Sequence, residues 1–128
     1  MEPEQLILGG MFSLMGMGTM LFPKHLIPLS LRNAPENSRE LNFVFRCFGA
    51  QATLCGLLLL SCKPSRTLYR NFGLAMVPFF IFDYVAWNAG FLTEFGALGD
   101  AAGNLVFSIC SFIGWKRSSA SNAADDED

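Results

Sequence analysis

Charged residues, histidine and paired cysteines are all scarce in this chain. Only 16% of its 128 residues are charged, against roughly 25% in a soluble domain, while 52% are hydrophobic. A soluble protein of this length has no interior large enough to bury so much apolar surface. The composition therefore excludes an ordinary soluble domain and predicts a membrane protein.

The sequence contains no motif that predicts binding of a metal, a cofactor or a nucleic acid. The single histidine is His25, and the four cysteines form no CxxC pair. Neither a metal-ligand spacing nor a disulfide framework is present, so we expect the cysteines to be small packing residues. The net charge is −2, with no basic cluster that would indicate nucleic-acid binding. We expect no cofactor, no metal and no nucleic-acid partner.

Four apolar segments make up most of the chain, at residues 6–22, 43–62, 72–92 and 96–115. Each is about as long as a membrane-spanning helix. We therefore predict an all-α four-helix transmembrane bundle over residues 1–117, followed by a disordered acidic tail over residues 118–128. Glu2 and Glu4 stand where a cleaved signal peptide carries basic residues, so we interpret the first segment as a retained span.

Small residues recur at helical spacing in three of the predicted spans. They are Gly9, Ser13 and Gly16 in the first span, Gly49, Ala52, Thr53 and Gly56 in the second, and Gly96, Gly99 and Gly103 in the fourth. Such faces let helices approach closely in lipid, and we expect them to pack inside the bundle. The GxxxG string from Gly99 to Gly103 leaves an alternative, a homo-oligomer formed through that face.

Three ionisable side chains lie inside the predicted spans, Arg46, Asp83 and Asp100. In hairpin order, the start of the second span, the end of the third and the start of the fourth share one side of the membrane. All three charges then fall in one half of the bilayer, where each costs at least about 2.5–3.5 kcal/mol. With nearby polar and aromatic side chains they form a candidate binding site: Arg46, Gln51, Asp83, Trp87, Asn88, Asp100 and Asn104.

Two interpretations of this predicted site stay open. In the first, Arg46 neutralises Asp83 or Asp100, the amides satisfy one another, and the network pins the helices together. In the second, the site opens toward the connector at residues 24–42 and binds a polar headgroup, a sterol hydroxyl, an ion or a substrate. A paired Arg46 without a cavity would favour the first interpretation. A pocket on the order of hundreds of Å³ would favour the second if it is lined by Asp83, Trp87, Asn88, Asp100 and Asn104.

Two short motifs lie near the starts of the second and third predicted spans. The string Phe-Arg-Cys-Phe-Gly occupies residues 45–49, and Leu68-Tyr69 follows a basic linker. Both are similar to motifs of the small four-span endoplasmic-reticulum proteins that scaffold sterol-biosynthetic enzymes, the first matching an Arg-x-Phe-Gly. Where that family carries His-Phe and then Glu, this chain has Phe82-Asp83 and later Glu94. The second span also resembles that of DoxX-like four-helix membrane proteins. Both resemblances imply a non-catalytic membrane protein and assign no site residue.

We predict a non-catalytic scaffold or accessory subunit of a membrane protein complex, with other integral membrane proteins and membrane lipids as partners. The alternative is a membrane-embedded enzyme or carrier for a lipophilic substrate that uses Arg46, Asp83 and Asp100. Basic residues are more numerous on the side that holds both termini, which favours cytosolic termini. We expect the endoplasmic reticulum or another endomembrane as the location, with the mitochondrial inner membrane as the alternative.

Overall fold

The computed structural model describes residues 1–35 and 38–125, with side chains through residue 118. Within these residues the regular elements are all α-helices, apart from one isolated β-bridge. The helices are α1 (Pro3–Leu21), α2 (Pro23–Ser30), α3 (Arg39–Ser61), α4 (Arg66–Asn88) and α5 (Glu94–Asp125). The all-α class predicted from the sequence is confirmed.

Prolines and serines set several of the helix boundaries. α1 ends at Leu21, and Pro23 begins α2 at an angle of 104° to it. Proline interrupts the hydrogen bonding of one helix but fits the first turn of the next. Ser38 and Ser65 cap α3 and α4, since each hydroxyl accepts a 3.1 Å hydrogen bond from the backbone N–H three residues later.

α1 and α3 pack closely along a seam of small residues. A Cβ added to Gly49 would lie 2.5 Å from the carbonyl oxygen of Gly16, and one added to Gly9 would lie 2.9 Å from that of Gly56. Neither distance leaves room for a side chain, so the two backbones meet directly. The prediction that the small faces of the first two spans pack inside the molecule is confirmed.

The small face of α5 behaves differently from the prediction. Gly96 packs against the backbone of Ser30, but a Cβ added to Gly99 or Gly103 would meet nothing within 4 Å among the described residues. The expectation that these two glycines pack inside the bundle is wrong. α5 instead faces α4 with the side that carries the buried Asn104. Gly99 and Gly103 lie on a different side of α5, which is open.

The four long helices lie in the order α3, α1, α5, α4. α1 reaches the α4–α5 pair through Phe12, whose ring centre lies 4.5 Å from that of Phe107 and 5.4 Å from that of Phe72. Across the described ranges, no Cα atom of α3 lies within 8 Å of one in α4 or α5. α3 and α4 are therefore the two outer helices of the molecule.

Two helices are long and apolar enough to cross a membrane, α3 and the Glu94–Ser118 part of α5. The bent pair α1 and α2 adds a third crossing if it is one broken span. Large apolar side chains are exposed on all four long helices, for example Leu14, Phe48, Phe82 and Leu105. So much exposed apolar surface is expected for helices in contact with lipid, and it agrees with a membrane protein.

The four predicted spans correspond to α1, α3, α4 and α5, with boundaries that move by a few residues. The connector between the first two spans contains α2, which the sequence did not predict as a helix. α5 continues to Asp125, through most of the segment 118–128 for which the sequence predicts a disordered tail. Alanine at positions 120, 123 and 124 favours the helix there. Residues 126–128 of that predicted tail lie outside the described residues.

Candidate functional site

The candidate site lies near the end of the molecule where the connector meets the α4–α5 turn. Leu31 and Leu92 form an isolated antiparallel bridge, and the Arg32 N–H donates a 2.8 Å hydrogen bond to the Phe91 carbonyl oxygen. These backbone contacts join the connector to the turn. The start of α3, the end of α4 and the start of α5 therefore share one end, as the predicted hairpin order requires.

Three of the predicted site residues meet between α4 and α5, and we call Asp83, Asp100 and Asn104 the Asp83 cluster. Asn104 is 5% exposed, and its side-chain amide donates a 2.8 Å hydrogen bond to the Asp83 carboxylate. Asp100 lies one turn before Asn104 on α5, close to the Asp83 carboxylate. The cluster is therefore an acceptor-rich site that already holds one amide donor.

A cavity of about 570 Å³ opens between α4 and α5 beside Asp83. Phe80, Tyr84 and Trp87 of α4 form its aromatic wall, and small residues of α5 such as Ala97 lie opposite. Its lining is mainly apolar, with carboxylates at Asp83 and Glu94. Of the predicted site residues, Asp83 and Trp87 line it. The cavity is of the size expected for a ligand pocket, but it opens outward and not into a bundle interior.

Arg32 is a site residue that the sequence reasoning missed. Its guanidinium carbon lies 5.3 Å from the centre of the Trp87 ring, a cation–π contact. The contact ties the connector to the last turn of α4 and fixes one wall of the cavity. The sequence offers no signal for it, because the two residues are far apart in the chain and Arg32 counts there only as a basic residue near a membrane surface.

Arg46 and Gln51 do not join the Asp83 cluster. Both are exposed on α3, an outer helix separated from α4 and α5 by α1. Within the part of the chain that the structure describes, Arg46 has no hydrogen-bond or ion-pair partner. The interpretation in which Arg46 neutralises Asp83 or Asp100 inside one chain is therefore wrong. Asn88, the last residue of α4, is also exposed and lies outside the cavity lining.

A second polar network, absent from the sequence predictions, lies at the opposite end of the molecule. Gln5 is 3% exposed, and its side-chain amide donates to the carbonyl oxygens of Leu59 at 2.7 Å and Cys62 at 2.6 Å. These carbonyls belong to the last turn and the C-cap of α3, where no intrahelical donor remains. The first turn of α1 thus caps the C-terminal end of α3.

The same turn of α1 also holds the ends of α4 and α5. Tyr69 donates a 2.7 Å hydrogen bond to the Glu2 carboxylate, and Arg117 lies 2.8 Å from the Glu4 carboxylate, which is almost fully buried. Polar residues directly before an apolar run are the sequence signal for this network. In the sequence alone, Glu2 and Glu4 serve only as evidence against a cleaved signal peptide.

The chemistry available at the candidate site is that of binding a cation or a hydrogen-bond donor. Among the described residues, no group of three or more His, Cys, Asp and Glu side chains is placed to hold a metal ion. Carboxylates beside aromatic rings suit a guanidinium, an ammonium or a hydroxyl. Comparisons with protein-family models, curated proteins and solved structures find no match.

Proposed function

We propose that this protein is a four-span integral membrane protein that binds other integral membrane proteins as a non-catalytic scaffold or accessory subunit. The proposed location is the endoplasmic reticulum or a related endomembrane, with both termini in the cytosol. Four crossings are supported by packing, because α1 lies along α3 and α4 lies along α5. A membrane that α3 and α5 cross therefore also surrounds their neighbours.

Four crossings give a defined pattern of labelling by a membrane-impermeant maleimide in sealed vesicles. Native Cys62 follows α3 at the end that holds the termini, while residue 35 lies in the connector at the other end. In a background of Cys47→Ala, Cys55→Ala and Cys110→Ala, we expect Cys62 to react from one side. With Cys62→Ala added, Ser118→Cys should react from that same side and Pro35→Cys from the other. Labelling of Cys62 and Ser118→Cys from opposite sides would show that α4 does not cross.

The position of charge on the outer surface is the observation that carries the proposed function. Arg46 is exposed on α3 and Asp100 on α5, and both helices are candidate membrane spans. Charged side chains at such positions are costly in lipid and rarely face it. A second protein that covers these surfaces removes this cost. The open glycines at positions 99 and 103 allow another helix to approach closely.

The cavity beside Asp83 favours a second function, which is binding of a lipophilic ligand that carries a hydroxyl or cationic group. Its aromatic wall at Phe80, Tyr84 and Trp87 suits an apolar body, and the Asp83 carboxylate suits a polar end. This function needs the cavity to remain free of protein. The ligand-binding function and the scaffold function therefore differ in whether a lipid or a protein occupies the α4–α5 surface.

One purification distinguishes the two functions. The full chain is isolated in a mild detergent, and bound proteins and lipids are quantified by mass spectrometry. We expect a stoichiometric integral membrane protein that is lost when Arg46 is replaced by methionine. A stoichiometric lipid that is displaced by Ala97→Phe, but not by Ala102→Phe at a neighbouring exposed position outside the cavity lining, would favour the second function. Recovery of neither protein nor lipid would remove the basis of both.

A further inference from the structure

We propose that copies of this chain associate head to tail, with Arg46 of one copy bound to the Asp83 and Asp100 carboxyls of the next. This inference concerns self-association and competes with the scaffold function, because another copy of the chain then covers the Arg46 and Asp100 side chains in place of an unlike partner. It follows from an exposed cation on one outer helix, a carboxyl-bearing cavity at the opposite edge, and the equal depth of the two.

The first surface is the exposed side of α3 that carries Arg46. On the same side, one turn away in each direction, are the exposed Phe43 and Ala50. Arg46 has no ion-pair or hydrogen-bond partner in the described ranges. An arginine inside a membrane span normally faces a protein interior or pairs with an acid. This side of α3 is therefore incomplete in a single copy.

The second surface is the outer face of the α4–α5 pair. It offers the Asp83 carboxyl inside the cavity, the aromatic wall of the cavity at Tyr84 and Trp87, and the exposed carboxyl of Asp100 beside the cavity. A guanidinium binds a carboxylate through two parallel N–H groups and stacks on aromatic rings. The cavity of about 570 Å³ is large enough to admit an arginine side chain. Cation and acceptor are thus complementary in both charge and shape.

The two surfaces also match in depth. Arg46 is the eighth residue of α3, Asp100 the seventh of α5, and Asp83 the sixth from the end of α4. At about 1.5 Å per residue, all three lie about 8–11 Å from the connector end. Copies related by rotation about the membrane normal keep every atom at its own depth. The cation of one copy therefore meets the carboxyls of the next without tilting or sliding.

This geometry defines the type of assembly. The two surfaces are different and lie on opposite edges, α3 and α4, of the helix order α3, α1, α5, α4. A contact between unlike surfaces is heterologous, and it continues until a ring closes. A two-fold dimer through the glycines at positions 99 and 103 would use one surface twice and would leave Arg46 uncovered. Ring closure is therefore the expected form.

A mixing experiment with two complementary variants tests the proposal. Arg46→Glu removes the cationic surface, and Asp100→Lys neutralises the carboxyl surface by giving Asp83 a counter-ion within its own chain. Each variant, carrying its own fluorophore, is placed in phosphatidylcholine vesicles, and subunits are counted by single-molecule photobleaching. We expect the unaltered chain to form closed oligomers and each variant alone to be monomeric, with association at least about tenfold weaker. A mixture of the two should restore oligomers in which the two variants alternate, since one contact is native and the other has its two charges exchanged.

Controls and opposing outcomes are defined for the same assay. Arg70→Glu changes the charge of an exposed arginine at the other end of α4 and should leave the oligomers intact. Arg46→Gln removes the positive charge without introducing a negative one, and we expect it to weaken the oligomers. A folded Arg46→Gln variant that associates less would show that loss of the contact, and not misfolding, is the cause. A monomeric unaltered chain would show that lipid phosphates or a different protein satisfy Arg46, and would overturn the proposal. So would oligomers that survive both variants, or two folded monomeric variants that fail to pair on mixing.

Discussion

Gly16→Val is expected to separate α1 from α3 and to cause the largest loss of stability of any single substitution considered for this chain. A Cβ at position 16 would lie 2.6 Å from the carbonyl oxygen of Gly49. The obstacle is backbone within a helix, which cannot rotate aside as a side chain does. We expect a loss of about 3 kcal/mol, at the upper end for overpacking, because the whole α1–α3 seam must open to admit the side chain.

The measurement is thermal unfolding in a mild detergent, followed by circular dichroism and by size-exclusion chromatography. Gly18→Val is the matched control, since it makes the same change two residues later on α1, where a Cβ would meet nothing within 4 Å. Helix propensity changes equally in both variants and cancels in the comparison. Equal unfolding midpoints for the two valine variants would show that the seam is not a close backbone contact.

Gln5→Glu is expected to give the second largest effect, with a characteristic pH dependence. The buried Gln5 amide donates to two carbonyl oxygens, those of Leu59 and Cys62. An ionised carboxylate at this position has no proton to donate and faces two acceptors. We expect a loss of about 3 kcal/mol at neutral pH, the lower end for an unpaired buried charge. The helix N-terminus at this position offsets part of the cost.

Acidification should restore part of the stability of this variant. A protonated carboxyl can donate to one of the two carbonyls, so the folded state of the variant binds a proton more tightly than the unfolded state. Stability then rises as pH falls, which is the sign that linkage requires. The assay is the unfolding midpoint of the variant relative to the unaltered chain between neutral and mildly acidic pH. Asn71→Asp, an equivalent change at an exposed position, is the control, and the idea fails if both variants respond to pH alike.

Local spacing and composition are sufficient to predict much of the fold. Apolar length gives the four long helices, and the small residues at positions 9, 16, 49 and 56 identify the faces on which α1 and α3 meet. These features depend on residues within one helix and on the general physics of lipid. The short helix α2 was not predicted, because its eight residues with an internal proline resemble an irregular connector.

The candidate site is predicted only in part. Asp100 and Asn104 are four residues apart on one helix face, and the α4–α5 hairpin brings Asp83 to them. Hairpin order therefore predicts that the start of α3, the end of α4 and the start of α5 lie at one end of the molecule, as they do. It does not determine which helices are neighbours, and α1 lies between α3 and α5. For this reason Arg46 lies near the predicted end of the molecule but on the wrong side of it to reach Asp83.

The ion pair between Glu4 and Arg117 has a consequence for biosynthesis. Its two residues are 113 positions apart in the chain, so the acid emerges from the ribosome long before its counter-ion exists. A chain that stops before residue 117 lacks this counter-ion, and burial of the Glu4 carboxylate then costs free energy that the complete chain recovers. The native packing of the first turn of α1 is therefore favourable only once the last helix has been made.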